Sequence, residues 1–150
     1  MMPFKNKEIR MPENHLKFGI GPKEIEKLKK LGRMNLLPKG ECLLLIGSVP
    51  DTICVLLEGT ADILAQNNSG ELFSVRSIGA GEILGLTESI TNCPCDNQVC
   101  ALTECTMILV ARDNFIEFLK AEPGICIEFA SAIATGVLER IRRAAMSESD

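Results

Sequence analysis

Short apolar runs separated by turn residues fill the middle of the chain, from Leu36 to Leu109. The runs have the length of strands, and the segments between them are rich in Gly, Asn, Asp and Pro. They cover residues 42–46, 52–57, 60–66, 72–78, 98–102 and 106–111. Because strands at this spacing form sandwiches or rolled barrels, the pattern predicts a mainly β domain with antiparallel hairpins.

The apolar residues on both sides of this region follow a helical period. Pro22 suits the first position of a helix and Gly32 suits its end. A short helix is predicted over residues 113–120, and a longer one extends from the Pro123-Gly124 break to residue 145. The apolar stripe of this last helix comprises Cys126, Phe129, Ile133, Val137 and Ile141. Arg140, Arg142 and Arg143 at its end are expected to complement the helix dipole.

Length and charge limit the architecture and the partners. We predict a poorly ordered leader over residues 1–20, which contains His15, followed by one domain over residues 21–150. The net charge is −4 and no basic stripe is present, so we expect no nucleic-acid partner. No apolar stretch is long enough to span a membrane. Seven cysteines without a secretory signal indicate a reduced, cytoplasmic protein with mostly buried thiols.

The residues needed for common catalytic sites are missing from the sequence. A single histidine, His15, cannot supply the metal ligands of a jelly-roll metalloenzyme. Neither a Gly-x-Ser-x-Gly motif nor a P-loop is present. A cysteine nucleophile would need a base, and His15 is remote in sequence. We therefore predict that the protein is not an enzyme and that it holds no metal.

The stretch from Gly79 to Asn97 is the strongest candidate for a ligand site. It begins with a Gly-x-Gly turn, and Gly85 then precedes a short predicted helix, residues 86–90. Glycine lets the backbone approach a ligand closely, and the free N–H groups of a new helical turn attract negative charge. The pattern is therefore that of an anion cradle.

This stretch resembles the phosphate-binding cassette of the cyclic-nucleotide-binding domain family, which includes the effector domains of catabolite-activator-like regulators. The family pattern, Gly-Asp-x-x-Gly-Glu followed later by Pro-Arg-Ser-Ala, aligns with Gly81 to Leu86 and with Pro94 to Asn97. The resemblance extends from about residue 22 to residue 142, and it implies an eight-stranded jelly roll with one N-terminal and two C-terminal helices. The implied ligand-binding positions are Gly85, Leu86, Thr87, Glu88, Ser89, Cys95, Asp96 and Asn97.

Two charged residues of the family pattern are replaced. The glutamate that holds the ribose falls on Leu86, and the arginine that pairs with the phosphate falls on Cys95, next to Asp96. Each lost charged hydrogen-bond partner costs about 1.5–3 kcal/mol. We therefore predict a regulatory sensor or interaction module that does not bind cyclic AMP in the usual way and needs no cofactor. Nucleotide binding through backbone amides remains an alternative.

Two further alternatives concern cysteines and assembly. Cys93 and Cys95 flank Pro94 in a loop, where they could act as a thiol-based redox or metal sensor. In the resembling family the last helix covers the ligand and pairs with its copy, which implies a homodimer through residues 122–145. The other interpretation is that the stripe docks on its own strand domain. Because the given chain ends at Asp150, without the helix-turn-helix domain of the transcription regulators, we expect no DNA contact by this chain.

Overall fold

The computed structural model describes residues 21–148, except for the side chains of residues 132, 136, 140 and 146–148. The predicted leader, with His15, lies outside the described residues. The elements in chain order are α1 (Pro22–Leu31), β1 (Arg33–Leu37), β2 (Cys42–Leu43), β3 (Thr52–Glu58), β4 (Ala61–Gln66), β5 (Leu72–Ile78), β6 (Ile83–Leu84), α2 (Leu86–Thr91), β7 (Gln98–Ala101), β8 (Cys105–Ala111), α3 (Arg112–Ala121) and α4 (Pro123–Glu148).

The eight strands form two four-stranded sheets. The first sheet has the order β1-β8-β3-β6 and the second has the order β2-β7-β4-β5. Every neighbouring pair of strands is antiparallel. One helix precedes the strands, and two follow them. The predicted jelly roll with flanking helices is thus confirmed.

Two strands lie outside the six predicted runs, and one run is shorter than expected. Strand β1 is an edge strand whose apolar Met34 and Leu36 side chains are exposed, so it lacks the pattern of a half-buried strand. Strand β6 has only two residues. The run over residues 42–46 ends as a strand after Leu43, because Leu44 adopts a left-handed backbone with a φ of 54°. A residue with this backbone turns the chain out of a strand.

Two hydrophobic cores hold the layers together. Between the two sheets, Leu56 and Met107 of the first sheet pack with Ala61 and Val99 of the second. Between the first sheet and the helices, a second core includes Leu28 of α1, Phe115 of α3 and Phe129 of α4. This second core places α4 against the rest of the domain.

Helix α4 divides its apolar residues between two faces. Phe129 is fully buried, and Cys126 and Ile133 pack beside it on the helical core. Ile141, which was predicted to belong to the same stripe, is 59% exposed. The helix has 26 residues and a length of about 39 Å, so its C-terminal part extends past the surface that buries Phe129.

Candidate ligand-binding site

The cassette begins with a backbone that only glycine adopts easily. Gly85 precedes α2 with a φ of 80°, in the left-handed region. A Cβ atom on Gly85 would lie 3.2 Å from a methyl group of Leu44 and 3.3 Å from the carbonyl oxygen of Thr52. Glycine is therefore needed both for the turn and for the close approach of Leu44.

A cavity of about 550 Å³ opens beside the cassette, which is within the usual size range of small-molecule sites. The second sheet, the cassette and α4 all contribute to its wall. The lining residues are Leu44, Ile63, Ala65, Gln66, Val75, Arg76, Ile83, Leu84, Gly85, Leu86, Thr87, Glu88, Cys95, Asp96, Asn97, Val99, Glu139 and Arg143. Apolar and polar side chains contribute about equally to the wall.

Most of the predicted ligand positions come together at this cavity. The predicted positions that line it are Gly85, Leu86, Thr87, Glu88, Cys95, Asp96 and Asn97. Ser89 does not line it: this side chain is fully buried, and its hydroxyl oxygen has no hydrogen-bond partner in the part of the chain that the structure describes. Cys93 is half-buried and also lies outside the lining.

The two positions that would hold a nucleotide are apolar and buried. Leu86 is 0% exposed and belongs to the helical core, and Cys95 is 5% exposed. Burial raises the pKa of the nearby Cys54 thiol to about 12, so this thiol is neutral at physiological pH. Neither Leu86 nor Cys95 supplies the carboxylate or the guanidinium group of the family pattern.

An ion pair joins α4 to the cassette loop. The guanidinium Nη2 of Arg143 donates to the carboxylate Oδ2 of Asp96 at 3.1 Å, and both side chains are more than half exposed. Sequence reasoning treated Arg143 as a partner of the helix dipole and Asp96 as a group that repels phosphate. The structure brings the two residues together across 47 positions of sequence.

A second ion pair lies at the wall formed by β5. Arg76 lines the cavity, and its Nη2 lies 3.7 Å from the Oε1 of Glu82, whose side chain is only 5% exposed. Sequence analysis did not single out Arg76. It is the one charged residue of β5, which was the available signal, but a single charge does not identify its partner.

The cysteines are arranged differently from the prediction. Cys42 and Cys100 form a disulfide between β2 and β7, so the expectation of a fully reduced chain is wrong for this pair. Neither Cys93 nor Cys95 takes part in this disulfide. Residues 21–148 contain no group of three or more His, Cys, Asp or Glu side chains that could hold a metal ion.

Residues 21–148 also include no helix with the length and apolar character needed to cross a membrane.

Three solved structures illustrate the similarity in fold. The Thermus thermophilus catabolite activator protein has a TM-score of 0.67 and 16% identity, over 87% of this chain and 60% of that one. A transcriptional regulator from Thermotoga maritima has a TM-score of 0.69 and 16% identity, over 84% and 98%. Oxidized CprK in complex with o-chlorophenolacetic acid has a TM-score of 0.62 and 13% identity, over 85% and 53%. At these identities the likeness shows the fold alone.

This chain thus spans less than two thirds of the length of the catabolite activator protein. No curated protein matches its sequence significantly. The family model for the cyclic nucleotide-binding domain matches residues 35–122, which is more than half of the chain and contains both the cassette and all but the first two residues of the strands. The chain belongs to the cyclic nucleotide-binding domain family.

Proposed function

We propose that this chain is a cytoplasmic regulatory sensor and interaction module that does not bind cyclic AMP in the usual way. The observation that carries the proposal is the chemistry at two cassette positions, where Leu86 and Cys95 are buried and supply neither the carboxylate nor the positive charge of the family pattern. A cyclic nucleotide would leave its phosphate charge and ribose hydroxyl against apolar groups there. Burying a charge without a partner is costly, so a nucleotide is a poor ligand for this cassette.

The charged residues around the cavity also disfavour a nucleotide. A phosphate near the wall would compete with Glu82 for Arg76 and with Asp96 for Arg143. Glu88 and Glu139 add further carboxylates to the lining. The cavity therefore suits a small molecule without a phosphate group better than a nucleotide. CprK, which has this fold, was solved with o-chlorophenolacetic acid, so the fold can hold a compact aromatic compound.

Calorimetry tests the loss of nucleotide binding. We expect no binding heat when the unmodified chain, oxidised or reduced, is titrated with cyclic AMP or cyclic GMP. A variant with Leu86→Glu, Cys95→Arg and Asp96→Ser restores both charged partners and removes the carboxylate beside them. We expect it to bind cyclic AMP at least about a hundredfold more tightly than the unmodified chain does.

A control variant with Met34→Arg and Leu36→Glu adds the same two charges at exposed positions of β1 and should not bind. Micromolar binding by the unmodified chain would refute the proposal, because backbone amides would then be sufficient. If neither the unmodified chain nor the triple variant binds, the cavity is closed to nucleotides altogether. In that case the interaction with other proteins becomes the main role of the domain.

The proposal includes a homodimer through an exposed face of α4. Ile127, Leu138 and Ile141 are 72%, 61% and 59% exposed, and Ala134 lies between them on the same side of the helix. Successive members of this set are seven, four and three positions apart, which are the spacings of a coiled-coil seam. The dimer face that we propose is thus different from the predicted stripe, most of which faces the protein's own core.

Charge on this face should dissociate the dimer. We expect the combined changes Leu138→Glu and Ile141→Glu to weaken self-association at least about a hundredfold, because they place two carboxylates in an apolar seam. Size-exclusion chromatography with light scattering over a concentration series measures the effect. Glu128→Lys, on another exposed side of the helix, is the control. A monomeric unmodified chain would exclude this assembly.

We propose neither catalysis nor nucleic-acid binding for this chain.

The cysteines support the proposed cytoplasmic location. Five of the seven lie outside the disulfide, and unbridged cysteines are usual in the cytoplasm. The Cys42–Cys100 disulfide is the exception.

A further inference from the structure

The disulfide lies on the outer surface of the second sheet. Cys42 and Cys100 are directly opposite each other on β2 and β7, with Cα atoms 4.0 Å apart. The neighbouring pair, Leu43 and Val99, packs in the core between the sheets. Because successive side chains of a strand point to opposite faces, the two sulfur atoms are on the outer face. Cys42 is exposed and Cys100 is half-buried, so dissolved thiols can reach the bridge.

The same short segment also forms part of the cavity wall. Leu44 follows directly after β2 and lines the cavity, and one of its methyl groups lies 3.2 Å from the position that a Cβ atom on Gly85 would occupy. Val99, which precedes Cys100, lines the cavity as well. Cys42 is therefore two positions from the wall residue Leu44, and Cys100 is next to the wall residue Val99.

Besides the disulfide, the middle of this segment is held by the pairing of Leu43 with Val99 and by the packing of Leu43 and Leu44 on the core between the sheets. The N–H of Ile46 also donates a 3.4 Å hydrogen bond to the Oε1 of Gln98.

Backbone hydrogen bonds fix the two ends of the segment. On one side, the N–H of Ala101 donates to the carbonyl oxygen of Glu41 at 2.9 Å. On the other side, the N–H of Gly47 donates to the carbonyl oxygen of Cys95 at 2.9 Å. Strand β2 itself has only two residues. Reduction would therefore leave both ends attached and loosen the middle of the segment, where Leu44 is located.

We infer that Cys42 and Cys100 form a thiol–disulfide exchange site whose oxidation state sets the position of Leu44 in the cavity wall. The expected reactant is a dithiol reductant. One thiolate of the reductant attacks the exposed sulfur of Cys42, and the sulfur of Cys100 leaves as a thiolate and takes up a proton. The second thiol of the reductant then displaces Cys42 and closes its own disulfide. Two electrons pass to the protein, and the two thiol protons of the reductant end on Cys42 and Cys100.

Other cysteines are poor competitors in this exchange. Cys54 and Cys105 are buried, and burial raises the pKa of both thiols. Because the thiolate is the reactive form, these groups react slowly. Cys95 is buried too. A dithiol reductant also needs a disulfide to attack, and within residues 21–148 only Cys42 and Cys100 form one.

Control of ligand binding by this bridge rests on the function proposed above, but the coupling between bridge and wall can be measured without a ligand. Hydrogen–deuterium exchange is compared by mass spectrometry for the full chain before and after treatment with dithiothreitol. We expect the amides of residues 86–91 to exchange about fivefold faster after reduction, which corresponds to about 1 kcal/mol of local opening free energy. Exchange in α1 should not change. Mass tagging with maleimide identifies the cysteines that were reduced.

Two variants separate the coupling from general destabilisation. Leu44→Ala keeps the bridge and removes the side chain that lies beside Gly85, so reduction should no longer change exchange at residues 86–91. The double variant Cys42→Ser and Cys100→Ser should exchange like the reduced chain and ignore dithiothreitol. Free thiols at both positions in the air-oxidised chain would overturn the inference. Equal exchange of residues 86–91 in the oxidised and reduced chains would also overturn it, and either result would leave the proposed function standing.

Discussion

Replacing Phe129 with alanine is expected to lower the free energy of unfolding by about 3–5 kcal/mol. Phe129 is fully buried, and its ring stacks on the ring of Phe115 with the centroids 5.4 Å apart. Alanine removes this contact and leaves a cavity that the surrounding helices fill only in part. Urea denaturation followed by circular dichroism measures the loss.

Phe73→Ala is the matched control, because it removes the same ring from a half-exposed position on β5. We expect a loss of less than about 1 kcal/mol from this change. Similar losses from the two variants would mean that α4 is not held to the domain through Phe129. Because α4 also carries Arg143 to the cavity, detachment of the helix would separate Arg143 from Asp96. Phe129 thus stabilises the fold and also holds α4, and with it Arg143, at the wall of the candidate ligand cavity.

The strands that the sequence predicts are those with a local signal. Strands β3, β4 and β5 are continuous apolar or alternating runs with turn residues at both ends, and their bounds agree with the prediction within about one residue. Strands β1 and β6 have no such signal. The first is an exposed edge, and the second is a pair of residues defined by its contact with β3. Their presence was implied by the family resemblance and not by the pattern of apolar residues.

The backbone of the site could be predicted, whereas its side-chain pairs could not. The turn at Gly85 and the short helix after it depend on neighbouring residues, and both occur as expected. The contact of Arg143 with Asp96 and the Cys42–Cys100 bridge join residues 47 and 58 positions apart. Such pairings depend on helix docking and strand register, which cysteine counts and local patterns do not determine.

The apolar period of α4 was also insufficient to assign its faces. Two sets of apolar residues, one around Phe129 and one around Leu138, both have helical spacing. The period identifies a helix with apolar sides, but it does not distinguish the side that meets the core from the side that remains exposed. The packing of Phe129, Cys126 and Ile133 on the helical core separates the two sets.

Gly59→Ala should also be strongly destabilising, by about 2–5 kcal/mol. Gly59 joins β3 of the first sheet to β4 of the second and has a φ of 99°, which disfavours any side chain. A Cβ atom would lie 2.4 Å from the carbonyl oxygen of Glu104 and 2.9 Å from the Cα of Cys105. Both are backbone atoms and cannot turn away. Thermal and urea denaturation of the purified variant measure the effect.

Gly70→Ala separates the cost of the positive φ from the cost of the steric clash. Gly70 has a similar φ of 89°, but the nearest atom to its added Cβ is the amide nitrogen of Gln66, at 3.9 Å. Gly70→Ala should therefore lower the free energy of unfolding only by the cost of the positive φ, about 1–2 kcal/mol. The difference between the variants gives the cost of pushing the β3–β4 turn away from the start of β8. A difference near zero would mean that the two turns move apart easily. In that case the close approach at Gly59 would contribute little to holding the sheets in place.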